Sequence, residues 1–251
     1  MSASGGRQDG SRVVRVGGLS VRVHVQGEGE PLLLLNGFTR PLESWVPLSQ
    51  ELPGRTLVSF DAPGVGGRPT PILPLSVGML ARIAEGVLDA NCLDRADVLG
   101  FSHGGAVAQQ LAFQAPSRVG HLVLAATTCG VGSVPGSSDS LRGLRASSDA
   151  GRWPRPDVMG AFWHAIAIAT WSSIPFLGAI AAPTLVVCGS RDRVVPPANS
   201  RLLARRIPGA ALVLLQAGHD LQRVGQADQL AAAVESFLSD AAALLPLAAG
   251  G

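Results

Sequence analysis

Three residues in this chain, Ser102, Asp192 and His219, have the types and order for nucleophilic catalysis. A serine hydroxyl attacks well only when a base takes its proton, and an imidazole serves as that base when a carboxylate fixes its tautomer. Ser102 stands in "GFSHG", with Gly100 and Gly104 two residues away on either side. The pattern alone decides little, because 22 serines and 31 glycines in 251 residues give roughly 0.3 chance occurrences of G-x-S-x-G. Context carries it. "ADVL" before the serine reads as a strand, and "HGGAVAQQLAFQ" after it reads as a helix that stops at Pro116, so Ser102 falls on a strand-to-helix turn. Such a turn strains the nucleophile and requires close backbone approach, which Gly100, Gly104 and Gly105 permit. It also aims the first N–H groups of the helix at a developing oxyanion.

Five histidines could serve as the base. His219, in "LLQAGHD", follows the last apolar strand at the sheet edge that carries the serine turn, and is the candidate. His103 is too close in sequence to reach back over Ser102, but its backbone N–H suits an oxyanion donor, with that of Phe38 in the "NGF" turn as the second. Asn36 and Gly37 shape that turn. His24 alternates with apolar residues in "LSVRVHVQG" and is predicted to face solvent. His121 begins a strand, and His164 lies in an insert; both read as packing or pocket-lining residues. For the acid, Asp192 in "SRDRVVPP" follows the strand "PTLVVCG". Asp61 is expected to organise its own turn, Asp220 to point away from its neighbour His219, and Asp139 stands as the alternative acid.

The elements that position these residues alternate. "LSVRVHVQG", "PLLLLNG", "RTLVSFDAPG", "HLVLAATT", "PTLVVCGS" and "ALVLLQAG" read as strands. Residues 75–91 form a helix on Leu75, Met79, Ile83 and Val87, and "PPANSRLLARRI" and "QADQLAAAVESFLSDA" are two more. Continuous apolar strands separated by helices predict a parallel sheet covered on both faces. Residues 1–11 are expected to be disordered, residues 12–128 and 183–240 to form the core, and 241–251 to be a tail. Residues 129–182 break the rhythm with a Gly/Ser/Pro-rich loop and then "MGAFWHAIAIATWSSIPFLGAIAA", 24 residues without a formal charge. That length would span a bilayer, but Pro175 interrupts it, and spanning would separate two strands of one sheet. A cap of short apolar helices over a pocket is expected instead. It holds Trp153, Phe162, Trp163, Trp171 and Phe176, five of the eleven aromatic side chains. Met159, Phe162, Trp163 and Ile166 recur at helical spacing as the face to be buried. Phe162, Trp163, His164 and Trp171 are the candidate lining of an acyl pocket, and apolar surface at its mouth could meet a hydrophobic surface.

Composition closes other routes. All 20 basic residues are arginine, and the chain has neither lysine nor tyrosine, which excludes Schiff-base lysine and tyrosine proton-donor chemistry. A net charge of +2, thinly spread, gives no nucleic-acid footprint. Cys92, Cys129 and Cys188 show no metal spacing, and "MSASGGRQDGSRVVRV" lacks the apolar core of a secretory signal, so a cytoplasmic protein without metal or cofactor is expected. "GVGG" at 64–67 lacks dinucleotide spacing.

The order Ser102, Asp192, His219, each after a strand, matches the α/β-hydrolase arrangement. The stretches "LLLLNGF", "FDAPGVGGRPTP", "DVLGFSHGGAVAQQLAFQAPSRVGHLVLAATT", "ATWSSI" and "RLLARRIPGA" resemble, over most of residues 12–240, the intracellular medium-chain-length poly(3-hydroxyalkanoate) depolymerases. The resemblance implies an α/β-hydrolase fold, with a mostly parallel eight-stranded sheet, helices on both faces and a short helical cap after the sixth strand. It implies a serine hydrolase acting on a small-molecule or oligomeric ester with an apolar, medium-chain (3-hydroxy)acyl group. His103 stands where that group is expected to carry tryptophan. Esterases, perhydrolases, lactonases, thioesterases and C–C bond hydrolases are related, while dehalogenases and epoxide hydrolases use an aspartate where this chain has Ser102. A non-catalytic ligand-binding protein on the same scaffold is the alternative from another class; such proteins usually lose a triad member.

Overall fold

Short runs of Leu, Val and Ala bury both faces only in a sheet sandwiched between helices. The computed structural model describes residues 10–137 and 157–243 and contains such a sheet. Its strands are β1 (Ser11–Val16), β2 (Leu19–Gln26), β3 (Glu30–Leu35), β4 (Arg55–Phe60), β5 (Ala96–Phe101), β6 (Val119–Ala125), β7 (Thr184–Gly189) and β8 (Ala211–Leu215). They lie in the order β1-β2-β4-β3-β5-β6-β7-β8. β2 pairs antiparallel with β1 and β4, and every other pairing is parallel. The helices are α1 (Val46–Gln50), α2 (Val77–Asp89), α3 (His103–Gln114), α4 (Val158–Ala169), α5 (Pro197–Arg206) and α6 (Ala227–Ala243).

Strand alternation divides the interior in two. Leu33, Leu35, Val98 and Leu122 face α2, α3 and α5, whereas Leu32, Leu34, Leu99 and Val123 face α1 and α6. β3 and β5 are neighbours, and β4 lies on the far side of β3. Successive crossovers therefore run in opposite directions and open a crevice at the carboxyl ends of β3 and β5.

Several expectations shift. β1 starts at Ser11, inside the range assigned to a disordered start; residues 1–9 lie outside the described residues. β1 escapes pattern reading because most of its side chains are not buried. At the other end, α6 continues to Ala243, into the range assigned to the tail. His24 is half-buried rather than solvent-facing and lies hydrogen-bonded to Gln26. In α2 the Ser76 side chain accepts the Met79 N–H and sets the start of the helix. Val77, Leu80, Ala84 and Val87 become the buried stripe, while Met79 turns outward at 46% exposure.

The segment between β6 and β7 carries α4 and a bridge from Gly130 to Ser172; 138–156, with Asp139 and Trp153, lie outside the described residues. α4 turns down Gly160, His164 and Ala167, not the expected large face. Met159 and Phe162 are half-exposed. The cause is backbone proximity: a Cβ added at Gly160 would lie 2.7 Å from the Gly64 carbonyl oxygen, so only a small-residue face can approach the loop after β4. Among the described residues no helix is long and apolar enough to cross a membrane.

Candidate active site

Ser102 sits at the β5–α3 turn with φ 52° and ψ −116°, a conformation L-residues rarely hold. Its N–H donates to Ala125 O at 2.9 Å, and its carbonyl accepts from Thr127 Oγ1 at 2.6 Å. The helix must press against the loop after β3 for the turn to close, and glycine allows it: a Cβ at Gly104 would stand 2.0 Å from Leu35 O.

Asp192 follows β7 and His219 follows β8, and the two loops are stitched together by Ser190 N–H to Leu215 O and Arg191 N–H to Ala217 O. His219 Nδ1 lies 2.8 Å from Asp192 Oδ2, and its Nε2 lies 3.1 Å from Ser102 Oγ. A carboxylate only accepts, so Nδ1 carries the proton and Nε2 offers its lone pair to the serine hydroxyl. The other oxygen of Asp192 accepts the N–H groups of Val194 and Val195, each at 2.8 Å. The Asp192 carboxylate is fully enclosed and His219 nearly so. The three predicted residues, 117 positions apart at the extremes, thus form one hydrogen-bonded chain that can move a proton off Ser102.

As the first residue of α3, His103 has an N–H without an intrahelical acceptor. The N–H of Phe38, in the turn after β3, likewise finds no acceptor among the described residues. The His103 ring is buried, edge-on to His164 with centroids 5.2 Å apart. Burial, with the neighbouring His164, pushes its pKa down to about 3; burial also lowers that of His164, whose Nε2–H donates to Pro63 O at 3.0 Å. Both rings are neutral.

A cavity opens beside the turn, walled by Phe60, Val65, Leu80, Val107, His103 and His164, with Asn36, Gly37 and Arg40 on its loop side. Of the four residues expected to line an acyl pocket, only His164 lines this cavity. The Phe162 side chain is exposed, the Trp163 indole donates to Pro71 O at 3.2 Å, and the Trp171 indole donates to Gln110 on α3 at 2.8 Å. For Phe162 and Trp163 the small-residue contact of α4 is the reason, since it turns their face of the helix away from the core; Trp171 lies beyond α4 and packs against the core. Asp61 does more than shape its own turn: fully buried, it accepts the Leu42 N–H and pairs with Arg22 at 2.6 Å. Asp220 points away from His219 and pairs with Arg40, and His121 lies on Asp97 near the amino ends of β6 and β5, the far end of these strands from Ser102. Among the described residues no group of three His, Cys, Asp or Glu side chains is placed to hold a metal ion.

Sequence reading missed a network joining the two loops. Asn36 Oδ1 accepts from Gly37 N–H and from Gln222 Nε2 at 3.2 Å, while Arg40 reaches Gln222 Oε1 and Asp220. The partners across the two loops are 180 or more positions apart and lack local spacing; the Asp220 expectation was the nearest signal.

Comparison with known proteins agrees with this fold. The chain is 35% identical over 238 residues to a poly(3-hydroxyalkanoate) depolymerase of Ectopseudomonas oleovorans, covering 83% of this chain and 84% of that one. It is 29% identical to a 2-hydroxymuconate semialdehyde hydrolase of Pseudomonas putida, covering 93% and 95%. The crystal structure of a hydrolase from Pseudomonas aeruginosa PA01 superposes with a TM-score of 0.78 at 27% identity, over 91% of this chain and 98% of that one. The model of the alpha/beta hydrolase family matches residues 32–233, and the chain belongs to that family of enzymes.

Proposed function

We propose that this protein is a serine hydrolase cleaving carboxylic esters with an apolar, medium-chain acyl group. The observation that carries the reading is the chain from Ser102 Oγ through His219 to Asp192, at 3.1 and 2.8 Å, on a strained helix-entry turn. Ser102 Oγ attacks the ester carbonyl as its proton passes to His219 Nε2, and Asp192 steadies the imidazolium. The oxyanion takes the N–H groups of Phe38 and His103. His219 then returns its proton to the departing alkoxide, leaving an acyl-Ser102 ester. Water, deprotonated by His219, attacks that ester, and collapse releases the carboxylic acid as His219 returns its proton to Ser102 Oγ.

The acyl chain is assigned to the cavity beside the turn, on Phe60, Val65, Leu80 and Val107, with α4, whose His164 lines the cavity, as part of its cap. The similarity to the depolymerase supports a 3-hydroxyacyl ester as the natural class, monomeric or oligomeric. The test is a panel of p-nitrophenyl esters from acetate to octanoate with 3-hydroxyalkanoate oligomers. Each further buried methylene contributes about 0.8 kcal/mol, roughly fourfold, so kcat/KM is expected to rise with chain length. Acetate as the best substrate would leave a small-ester hydrolase, and absence of covalent labelling at Ser102 by a fluorophosphonate would leave a binding protein.

A further inference from the structure

Arg40 is the one permanently charged side chain in the described wall of the cavity beside Ser102. Its guanidinium is already engaged: one amino group pairs with Asp220, the other donates to Gln222 Oε1 at 3.2 Å, and the plane covers Phe101 with 5.3 Å to the ring centroid. Both partners of the ion pair are mostly buried, with about one-sixth of each side chain exposed (16% and 15%). The two other titratable groups of the described wall, His103 and His164, are held neutral by burial.

We infer that the Arg40–Asp220 pair makes the acyl site charge-selective, admitting neutral chains and rejecting chains that end in a carboxylate. This rests on the ester-hydrolase reading of Ser102. A carboxylate entering the cavity sheds its hydration, and burying an ion is costly unless a paired, hydrogen-bonded counterion replaces the lost water. Here the only cation of the described wall is neutralised by Asp220, whose own negative charge repels the newcomer. A neutral chain meets mainly apolar side chains and loses little. Asp220 is thus a specificity determinant, acting through Arg40 and with no contact to the reacting atoms.

The test uses two fluorophosphonate probes of equal chain length, one ending in a methyl group and one in a carboxylate, with labelling of Ser102 followed as a second-order rate. The wild-type protein is expected to react at least tenfold faster with the neutral probe. Asp220→Asn keeps an acceptor for Arg40 but frees its charge, and is expected to shift the ratio at least tenfold toward the carboxylate probe. In the Arg40→Gln/Asp220→Asn double variant that gain is expected to vanish, which a merely structural effect of Asp220 would not produce. If the Asn variant does not fold, Asp220→Ser takes its place. Equal wild-type rates, an unchanged ratio in the single variant, or a gain that persists without Arg40 would each overturn the inference. Labelling by neither probe would instead remove the hydrolase reading on which it rests.

Discussion

At Ser102 the backbone conformation costs of the order of 1–3 kcal/mol, and it survives because the surroundings leave no alternative: Ala125 O, Thr127 and the glycines of α3 all close on the same turn. The strain lifts Oγ clear of the helix and toward His219. Ser102→Ala is expected to lower kcat on p-nitrophenyl hexanoate by about 10⁶-fold with the fold retained; residual turnover within a hundredfold of wild type would remove Ser102 as nucleophile. Asp192→Asn keeps the shape but can present an N–H to His219 Nδ1, favouring the wrong tautomer, and is expected to cost about 10⁴-fold in kcat. Steady-state kinetics and circular dichroism on the same sample separate lost chemistry from lost folding.

α4 shows how an element can defeat a pattern. Its large residues recur at helical spacing, yet the buried face is the one with Gly160, because the Gly64 backbone lies too close for any side chain. Gly160→Val is expected to destabilise the protein by about 1–3 kcal/mol and to displace His164. Phe162→Ala, at an exposed position, should stay within about 0.5 kcal/mol of wild type. Urea midpoints of the two variants decide between the faces, and the reverse order would restore the aromatic face as the packed one. On α3, Val107→Phe fills the cavity and is expected to lower kcat/KM for octanoate at least tenfold more than for acetate, at roughly fourfold per excluded methylene. Equal losses on both esters would move the acyl chain elsewhere.

Across the whole molecule, two neutral buried histidines make stability depend on pH. His103 has a folded pKa of about 3 against the ordinary imidazole value of 6.5, so between those values the unfolded chain binds the extra proton. Stability is then unaffected by this group above pH 6.5, falls as the pH drops below it, and levels off near pH 3. The slope approaches about 1.4 kcal/mol per pH unit for one fully differential proton, and His164 adds in the same direction. Urea unfolding from pH 7 to 4 is expected to show this loss, with a shallower slope in His103→Gln. An identical slope in that variant would mean that His103 is not buried neutral.

What the amino-acid sequence determines by itself is whatever a local pattern encodes. Continuous apolar runs between helices specify the layered sheet; Gly100 and Gly104 around Ser102 specify the turn; and the placement of Asp192 and His219 after late strands puts them at the edge where β5 ends. Tertiary structure decides what depends on distance through space. Arg40, Asp220, Gln222 and Asn36 meet although 180 or more positions separate the partners on the two loops, and no periodicity records such a meeting. The orientation of α4 is likewise set by a single backbone contact at Gly64, which outweighs the larger apolar area on its other face because steric overlap rises far more steeply with distance than burial stabilises.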